Sequence, residues 1–310
     1  MRRTALLLMA YAVVSLIIFV SAEISQSELF PVTFSFVFLV LIYLWYEFFV
    51  DKERLSEEVP QISVVSAWTL VFGLFFLSML VRVPSVLLYG QPYEKIIVIY
   101  LTVLTMVLIL NCKPSVFGFK SEKFGRALII GAVYYFIFEF SAKIVQFILF
   151  FLLKGQFYLV GFNLLPFLAM FPFMTFCVGI SEEGLFRGLM QTLLQKFYGV
   201  RFSILVQSAL FGFWHFVWHL YPLDLVGMLV HVLSTFVIGA LFGFFYSIAE
   251  NLVPLILVHG LIDSFSYGYI FNSIELSATE LFIFEALPYI LSIALMFMLT
   301  RRLAEWMKKP

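Results

Sequence analysis

Apolar stretches of about 20 residues recur along almost the whole chain, and each is long enough for one helix to cross the roughly 30 Å hydrocarbon core of a bilayer. The sequence predicts ten spans, at 4–22, 30–50, 63–81, 95–111, 127–153, 165–195, 202–220, 228–248, 252–271 and 280–300. Backbone polar groups inside lipid need internal partners, so such segments fold as helices. We therefore expect an all-α, polytopic integral membrane bundle of about eight to ten transmembrane helices.

The composition supports this class and excludes others. The chain is 63% hydrophobic and 12% charged, whereas a soluble domain is about half apolar and a quarter charged. Its formal net charge is zero, so bulk electrostatics indicates no nucleic-acid partner. The two cysteines, Cys112 and Cys177, lie at or inside apolar segments and are interpreted as small hydrophobic residues, not as a disulfide.

The distribution of lysine and arginine predicts the orientation, because cytoplasmic loops of membrane proteins are enriched in both. With a cytoplasmic N-terminus, fourteen of these residues fall on the cytoplasmic side: Arg2, Arg3, Lys52, Arg54, Lys113, Lys120, Lys123, Arg126, Lys196, Arg201, Arg301, Arg302, Lys308 and Lys309. Three are predicted to lie on the other side: Arg82, Lys95 and Lys154. We therefore expect an integral protein of the cell membrane with both termini in the cytoplasm.

Charged and polar residues interrupt the apolar pattern at three places in the second half. The first is GISEEGLFRG, which contains Glu182, Glu183 and Arg187. Glu183 and Arg187 are four residues apart, so they share one helix face and can pair, while Glu182 points elsewhere. Ionisable residues inside a membrane are costly and usually functional. The sequence therefore predicts a working site here, although a structural ion pair between helices is the simpler alternative.

The other two places are FGFWHFVWH, which contains His215, and LVHGLIDSF, where His259 and Asp263 are again four residues apart. Glu182 precedes Lys196 by 14 residues, and His215 follows Arg201 by 14 residues. At 1.5 Å per residue, both lie about 21 Å along their helices from the basic turn. Asp263, which follows Asn251 by 12 residues, lies about 18 Å along its helix. We therefore expect the three segments to meet at one depth.

A carboxylate beside imidazoles in a site of low dielectric favours hydrolysis. The carboxylate can act as a general base toward water, and a neighbouring imidazole can hold that water. Further hydrogen-bond donors can stabilise an oxyanion. Arg187 would keep Glu183 ionised.

The motifs EExxxR at 182–187, FxxxH at 211–215 and HxxxD at 259–263, taken in this order, resemble the CAAX-protease and bacteriocin-processing (Abi) family of intramembrane endopeptidases. This family includes the Ras-converting CAAX prenyl endopeptidases. The resemblance covers about residues 165–270, a third of the chain, and each motif lies inside an apolar segment.

The resemblance implies that Glu182 activates water, with His215 as its partner. It further implies that His259 and Asp263 form or support an oxyanion site, and that Glu183 and Arg187 support the others. An ionised Asp263 cannot donate a hydrogen bond to an oxyanion, so it is either protonated or orients His259.

The resemblance also implies a domain organisation and a substrate. We expect transmembrane helices of unassigned role at 1–160, a catalytic helical core at 165–271, and a C-terminal span with a basic tail at 280–310. The implied substrate is a membrane-associated peptide or lipidated protein, with prenylated CAAX proteins as the example and the C-terminal tripeptide as the released product. The expected reaction needs no cofactor.

Other functions stay open on the sequence. Zinc bound by Glu182, His215 and His259 would give a metalloprotease with the same residues. A proton or ion transporter could use Glu182 and Arg187 together with the intramembrane pair Glu139 and Lys143. A silent scaffold such as an immunity protein would keep the fold without catalysis. His219 and His231 fall outside the motifs and are assigned no catalytic role.

Overall fold

The protein is described by a computed structural model, which covers residues 2–25, 29–155, 161–270 and 278–309. Within these ranges, nearly all residues belong to ten helices. In chain order these are α1 (Arg2–Ser25), α2 (Leu29–Phe49), α3 (Val64–Tyr89), α4 (Lys95–Ile109), α5 (Phe124–Lys154), α6 (Leu164–Gln195), α7 (Val200–Trp214), α8 (Leu225–Ala249), α9 (Val253–Gly268) and α10 (Phe282–Lys308). The predicted all-α, polytopic bundle is confirmed.

Eight of these helices are long and apolar enough to cross a membrane, when α7 is taken with the 3₁₀ turn Phe216–His219 that follows it. The predicted spans 95–111 and 252–271 correspond to α4 and α9, which are shorter apolar helices. Residue 271, the predicted end of the second of these spans and of the catalytic core, lies outside the described residues. The chain is thus an integral membrane protein with eight full-length helices and two shorter ones in the part described.

Helix α4 is short because it starts inside the protein. Ile96, Ile97 and Val98, at its first turn, are all fully buried, and α4 packs against α1, α2, α3 and α6. A helix that is apolar on every side is stable where protein surrounds it. Since α4 is enclosed by both halves of the chain, the N-terminal helices and α6 share one hydrophobic core.

Helix α6 carries the first predicted motif and is irregular there. It is π-helical over Met174–Gly179 and again over Glu183–Gln191, with the short α-helical turn Ile180–Glu182 between these segments. Widened turns of this kind are rare and are frequently found at functional sites. Glu182 and Glu183 therefore stand at the junction between two local geometries.

Two glycines allow α9 to approach α6 closely enough to bring the first and third motifs together. A Cβ atom at Gly179 would lie 2.8 Å from the carbonyl oxygen of Ile256, and one at Gly260 would lie 2.1 Å from Oγ1 and 2.6 Å from Cα of Thr175. Any larger side chain at these positions would push the two helices apart. The second core, formed by α5, α8, α9 and α10, supports α9 from its other side.

Replacing Gly260 with alanine is expected to destabilise the protein by about 1–3 kcal/mol, because the added methyl group has no space beside Thr175. The measurement is the thermal unfolding midpoint in detergent. Gly73→Ala in α3 is the matched control, because a Cβ built there has no atom within 4 Å apart from its chain neighbours and the backbone of its own helix. Equal unfolding midpoints for the two variants would show that the close approach of α6 and α9 is not required for stability.

Candidate active site

Glu182 is buried between helices, with 3% of its side chain exposed, and its two oxygens have different surroundings. Oε1 accepts hydrogen bonds from the ammonium group of Lys95 and from Nε1 of Trp214, the latter at 2.8 Å. Among the described residues, Oε2 has no hydrogen-bond partner. It lies 3.4 Å from Nε2 of His259 and 4.0 Å from Nε2 of His215. One oxygen is therefore held in place, while the other faces two imidazole rings.

His215 has a defined tautomer in its neutral form. Its Nδ1 lies 2.8 Å from the carbonyl oxygen of Phe211, which can only accept a hydrogen bond. The proton therefore resides on Nδ1, and Nε2 is an acceptor that faces Oε2 of Glu182. Two acceptors 4.0 Å apart can both receive a hydrogen bond from one water at about 2.8 Å from each.

Glu183, Arg187 and His259 form a second buried group beside the first. Oε1 of Glu183 lies 3.1 Å from Nη1 of Arg187 and accepts a hydrogen bond from Nδ1 of His259 at 2.7 Å. The guanidinium group of Arg187 also lies 4.1 Å from the ring centre of Phe211. Because Arg187 is four residues after Glu183 and both are fully buried, this pair holds the imidazole of His259 in one orientation.

Asp263 lies at the open edge of this group, with 35% of its side chain exposed. Its Oδ2 is 3.5 Å from Nε2 of His259, whose other near neighbour is Oε2 of Glu182. Nδ1 of His259 donates to Glu183, so Nε2 carries no proton when the ring is neutral. Nε2 would then be an acceptor that faces two carboxylate oxygens. At least one proton must therefore lie among these three groups, on the ring or on a carboxyl group.

The structure thus brings together all six predicted site residues: Glu182, Glu183, Arg187, His215, His259 and Asp263. Asp263 contacts His259 and does not contact His215 in the described ion pairs. This arrangement is compatible with both sequence-based interpretations of Asp263.

Three further charged residues reach the site from the N-terminal half. The ammonium group of Lys95 lies 3.1 Å from Oε1 of Glu94, which in turn lies 2.6 Å from Nη1 of Arg82. Nε of Arg82 donates to the carbonyl oxygen of Trp214 at 2.9 Å. All three side chains are at most 1% exposed. A continuous row of alternating charges therefore runs from Arg82 to Glu182.

The prediction that Arg82 and Lys95 lie in loops on the non-cytoplasmic side is wrong. Arg82 lies within α3, and Lys95 begins α4 inside the protein. A charge at the edge of a short apolar segment normally indicates a loop. Spacing along the chain does not show that Lys95 contacts Glu182, which lies 87 residues away. The sequence feature that could have indicated this burial is the shortness of the apolar segment that begins at Lys95.

The remaining two histidines of the chain lie next to the site. Nε2 of His219 and Nδ1 of His231 are 3.0 Å apart, at hydrogen-bond distance. The ring centre of His231 is 5.1 Å from that of His215. The chain has four histidines in total, so all of them gather in this region.

A cavity of about 400 Å³ opens onto these groups. Its polar lining includes Lys95, Glu182, His215, His259 and Asp263, and its apolar lining includes Phe242. The volume is within the usual range for small-ligand sites. A larger cavity of about 710 Å³ lies between α1, α2 and α4, but it contains none of the predicted site residues. We place the candidate active site in the smaller cavity because the titratable groups converge there.

Zinc bound by Glu182, His215 and His259 is the alternative that the sequence left open. In the part of the chain that the structure describes, no group of three or more His, Cys, Asp or Glu side chains is arranged to hold a metal ion. A zinc ion at Glu182 would also lie close to the ammonium group of Lys95, which repels a dication.

Comparison with protein-family models gives a match within the second half of the chain. Residues 164–265 match the family model described as Type II CAAX prenyl endopeptidase Rce1-like. The chain therefore contains an Rce1-like domain over about a third of its length, and the predicted relationship to CAAX proteases is confirmed. Searches of curated proteins and of solved structures found no match. The matched region contains α6 to α9 up to Phe265, whereas Arg82, Glu94 and Lys95 lie outside it.

Proposed function

We propose that the chain is an intramembrane endopeptidase in which Glu182 is the general base that activates water for peptide-bond hydrolysis. The observation that carries this proposal is the asymmetry of the Glu182 carboxylate. Oε1 is bound by Lys95 and Trp214, while the buried Oε2 faces His215 and His259 at the cavity and has no hydrogen-bond partner in the part of the chain that the structure describes. A carboxylate with one fixed and one available oxygen is well placed to accept a proton from water.

In this mechanism, the attacking water donates one hydrogen bond to Oε2 of Glu182 and the other to Nε2 of His215. Its oxygen forms a bond to the carbonyl carbon of the substrate while Glu182 takes a proton from it. The carbon–nitrogen bond then breaks, and the proton on Glu182 passes to the leaving nitrogen. His215 is held for this role by its hydrogen bond to Phe211.

The oxyanion that forms during this attack needs a hydrogen-bond donor, and the group around His259 supplies one. A proton shared by His259 and the carboxyl groups it faces can be donated from Nε2 of His259 or from Asp263. Glu183 and Arg187 act by holding His259, since Glu183 binds its Nδ1. Donors fixed in advance are effective because they do not have to reorganise during the reaction.

The proposed substrate is a membrane-associated peptide or lipidated protein. Because the matched family is described as a CAAX prenyl endopeptidase, we propose a prenylated CAAX protein, with its C-terminal tripeptide as the released product. The cavity size supports a short peptide segment, because about 400 Å³ lies in the range for drug-sized ligands. A lipid anchor would lie in the surrounding bilayer and keep the scissile bond at the depth of the site.

We further propose a cell-membrane protein with both termini in the cytoplasm. Arg82 and Lys95 are buried inside the protein, whereas Lys154 and the fourteen basic residues predicted on the cytoplasmic side are partly or fully exposed. The predicted non-cytoplasmic side therefore retains one exposed basic residue of its three. The loop bias for this orientation is therefore stronger than the sequence indicated.

The test is cleavage of a farnesylated CAAX peptide by the purified full-length protein in detergent, with the products identified by mass spectrometry. We expect release of the C-terminal tripeptide and no release from the same peptide without the farnesyl group. Cleavage of both peptides would support the proposed protease activity and reject the requirement for a lipid on the substrate. If neither is cleaved while a positive-control CAAX protease cleaves the prenylated one, the CAAX substrate is rejected.

Metal chelation is expected to leave this activity unchanged, because the proposed base is a carboxylate paired with Lys95 and needs no metal-bound water. The measurement is the cleavage rate after incubation with EDTA and with 1,10-phenanthroline, followed by dialysis. A known zinc protease treated in parallel is the control for effective chelation. Loss of activity that added zinc restores would favour the alternative in which Glu182, His215 and His259 bind zinc.

A further inference from the structure

Lys95 is the only residue of the N-terminal half whose described ion pairs include a predicted catalytic residue. It begins α4, the enclosed short helix, and its side chain is 1% exposed. Its ammonium group contacts Oε1 of Glu182 and lies 3.1 Å from Oε1 of Glu94. It also lies 4.8 Å from the ring centre of Trp214, the second donor to Glu182.

These contacts give Lys95 two effects on Glu182. The positive charge favours the ionised form of a carboxylate that burial would otherwise disfavour. The hydrogen bond occupies Oε1 and leaves Oε2 directed at His215 and His259. The Glu182 carboxylate therefore obtains both its charge and its orientation from a helix outside the matched domain.

The position of Lys95 is itself supported from the N-terminal half. Arg82 binds Glu94, and Glu94 contacts Lys95, so the two acidic and two basic side chains alternate along the row. Arg82 also lies with its guanidinium carbon 4.4 Å from the ring centre of Trp214. This row leaves Lys95 little freedom to move away from Glu182.

We infer that the N-terminal half of the chain completes the active site through Lys95, a positioning residue that keeps Glu182 ionised and oriented. This inference rests on the proposed function for its effect on catalysis. Its effect on the charge of Glu182 is independent of any substrate. Residues 164–265 would then be insufficient for a competent site, because the counter-ion of the base comes from α4.

The first test compares cleavage by full-length variants. Lys95→Met is expected to lower kcat by about 10²-fold with little change in KM, the scale seen when one preorganised electrostatic partner is lost. Lys143→Met is the matched control: it removes an intramembrane lysine that lies 3.8 Å from Glu139 and does not line the candidate cavity. Its kcat should equal that of the wild type.

Chemical rescue separates this role from a purely structural one. In Lys95→Ala, added ethylamine is expected to restore part of kcat in a concentration-dependent way, because a small ammonium ion can replace the missing group beside Glu182. Ethanol at the same concentrations should have no effect. A folded Lys95→Ala protein with wild-type kcat, or with a low kcat that ethylamine does not raise, would overturn the role of Lys95 while leaving the protease intact.

The second test needs no substrate and therefore separates this inference from the proposed function. The infrared difference between the wild type and Glu182→Gln reports the carboxyl group of Glu182. In this difference spectrum we expect the band of an ionised carboxylate. In the difference between Lys95→Met and the double variant Lys95→Met/Glu182→Gln, we expect the band of a protonated carboxyl group. In the Lys143→Met background the band should stay ionised. An ionised band without Lys95 would overturn the inference even if peptide cleavage is observed.

Discussion

Replacing Glu182 with glutamine is expected to lower kcat for peptide cleavage by about 10²–10⁴-fold, the contribution of a positioned general base. The amide has nearly the same size and can occupy the same position, but it cannot take a proton from water. Because the substrate would still bind in the cavity, KM should change little. The measurement is steady-state kinetics on the farnesylated peptide, with the thermal unfolding midpoint recorded for each protein.

The matched control for this variant is Glu139→Gln. Glu139 is another intramembrane glutamate, with 14% of its side chain exposed, and it accepts hydrogen bonds from Tyr269 at 2.5 Å and from Tyr289 at 3.2 Å. It lies next to Lys143 and outside the cavity of the candidate site. We expect wild-type kcat for this variant. Wild-type kcat for Glu182→Gln would reject the glutamate mechanism, whatever the control shows.

Replacing Arg187 with methionine is expected to destabilise the protein by about 3–5 kcal/mol, because it leaves the buried carboxylate of Glu183 without its cation. Arg187 and Glu183 are both fully buried and 3.1 Å apart. The variant also loses the contact between the guanidinium group and the ring of Phe211. The measurement is reversible unfolding in mixed micelles, in which the folded fraction is recorded as the proportion of denaturing detergent is increased.

The double variant Glu183→Gln/Arg187→Met tests the cause of this loss. If the uncompensated charge is responsible, the double variant is more stable than Arg187→Met. Arg301→Met serves as the control for removing an arginine from an exposed pair, since Arg301 and Glu305 are 73% and 50% exposed. We expect no change in its unfolding transition. A double variant less stable than Arg187→Met would assign the loss to packing around the guanidinium group.

Much of the site could be predicted from the sequence because the relevant geometry is local. Residues four apart on a helix share a face, so the pairs of Glu183 with Arg187 and of His259 with Asp263 follow from spacing alone. Both pairs lie within one helix in the structure, at 3.1 Å and 3.5 Å. The common depth of Glu182 and His215 was predicted from their equal separation along the chain from the turn between their helices, and their side chains lie 4.0 Å apart although part of α6 is π-helical.

The contacts of Glu183 show where such local reasoning ends. Its link to Arg187 is a matter of spacing, but its hydrogen bond to His259 joins residues 76 positions apart. That contact depends on the close approach of α6 and α9, which Gly179 and Gly260 permit. A glycine in an apolar segment indicates close packing, but it does not identify the partner helix.

By itself, the sequence determined that this chain lies in a membrane, roughly where its helices run, and which polar residues of the second half meet at the candidate site. These properties depend on hydrophobicity and on helical periodicity, which act between near neighbours in the chain. Only the tertiary structure decided that Arg82 and Lys95 are buried at the site and that Lys95 binds one oxygen of Glu182. The reason is physical: the pairing of two buried charges depends on how helices distant in sequence pack, and electrostatic attraction acts through space, not along the chain.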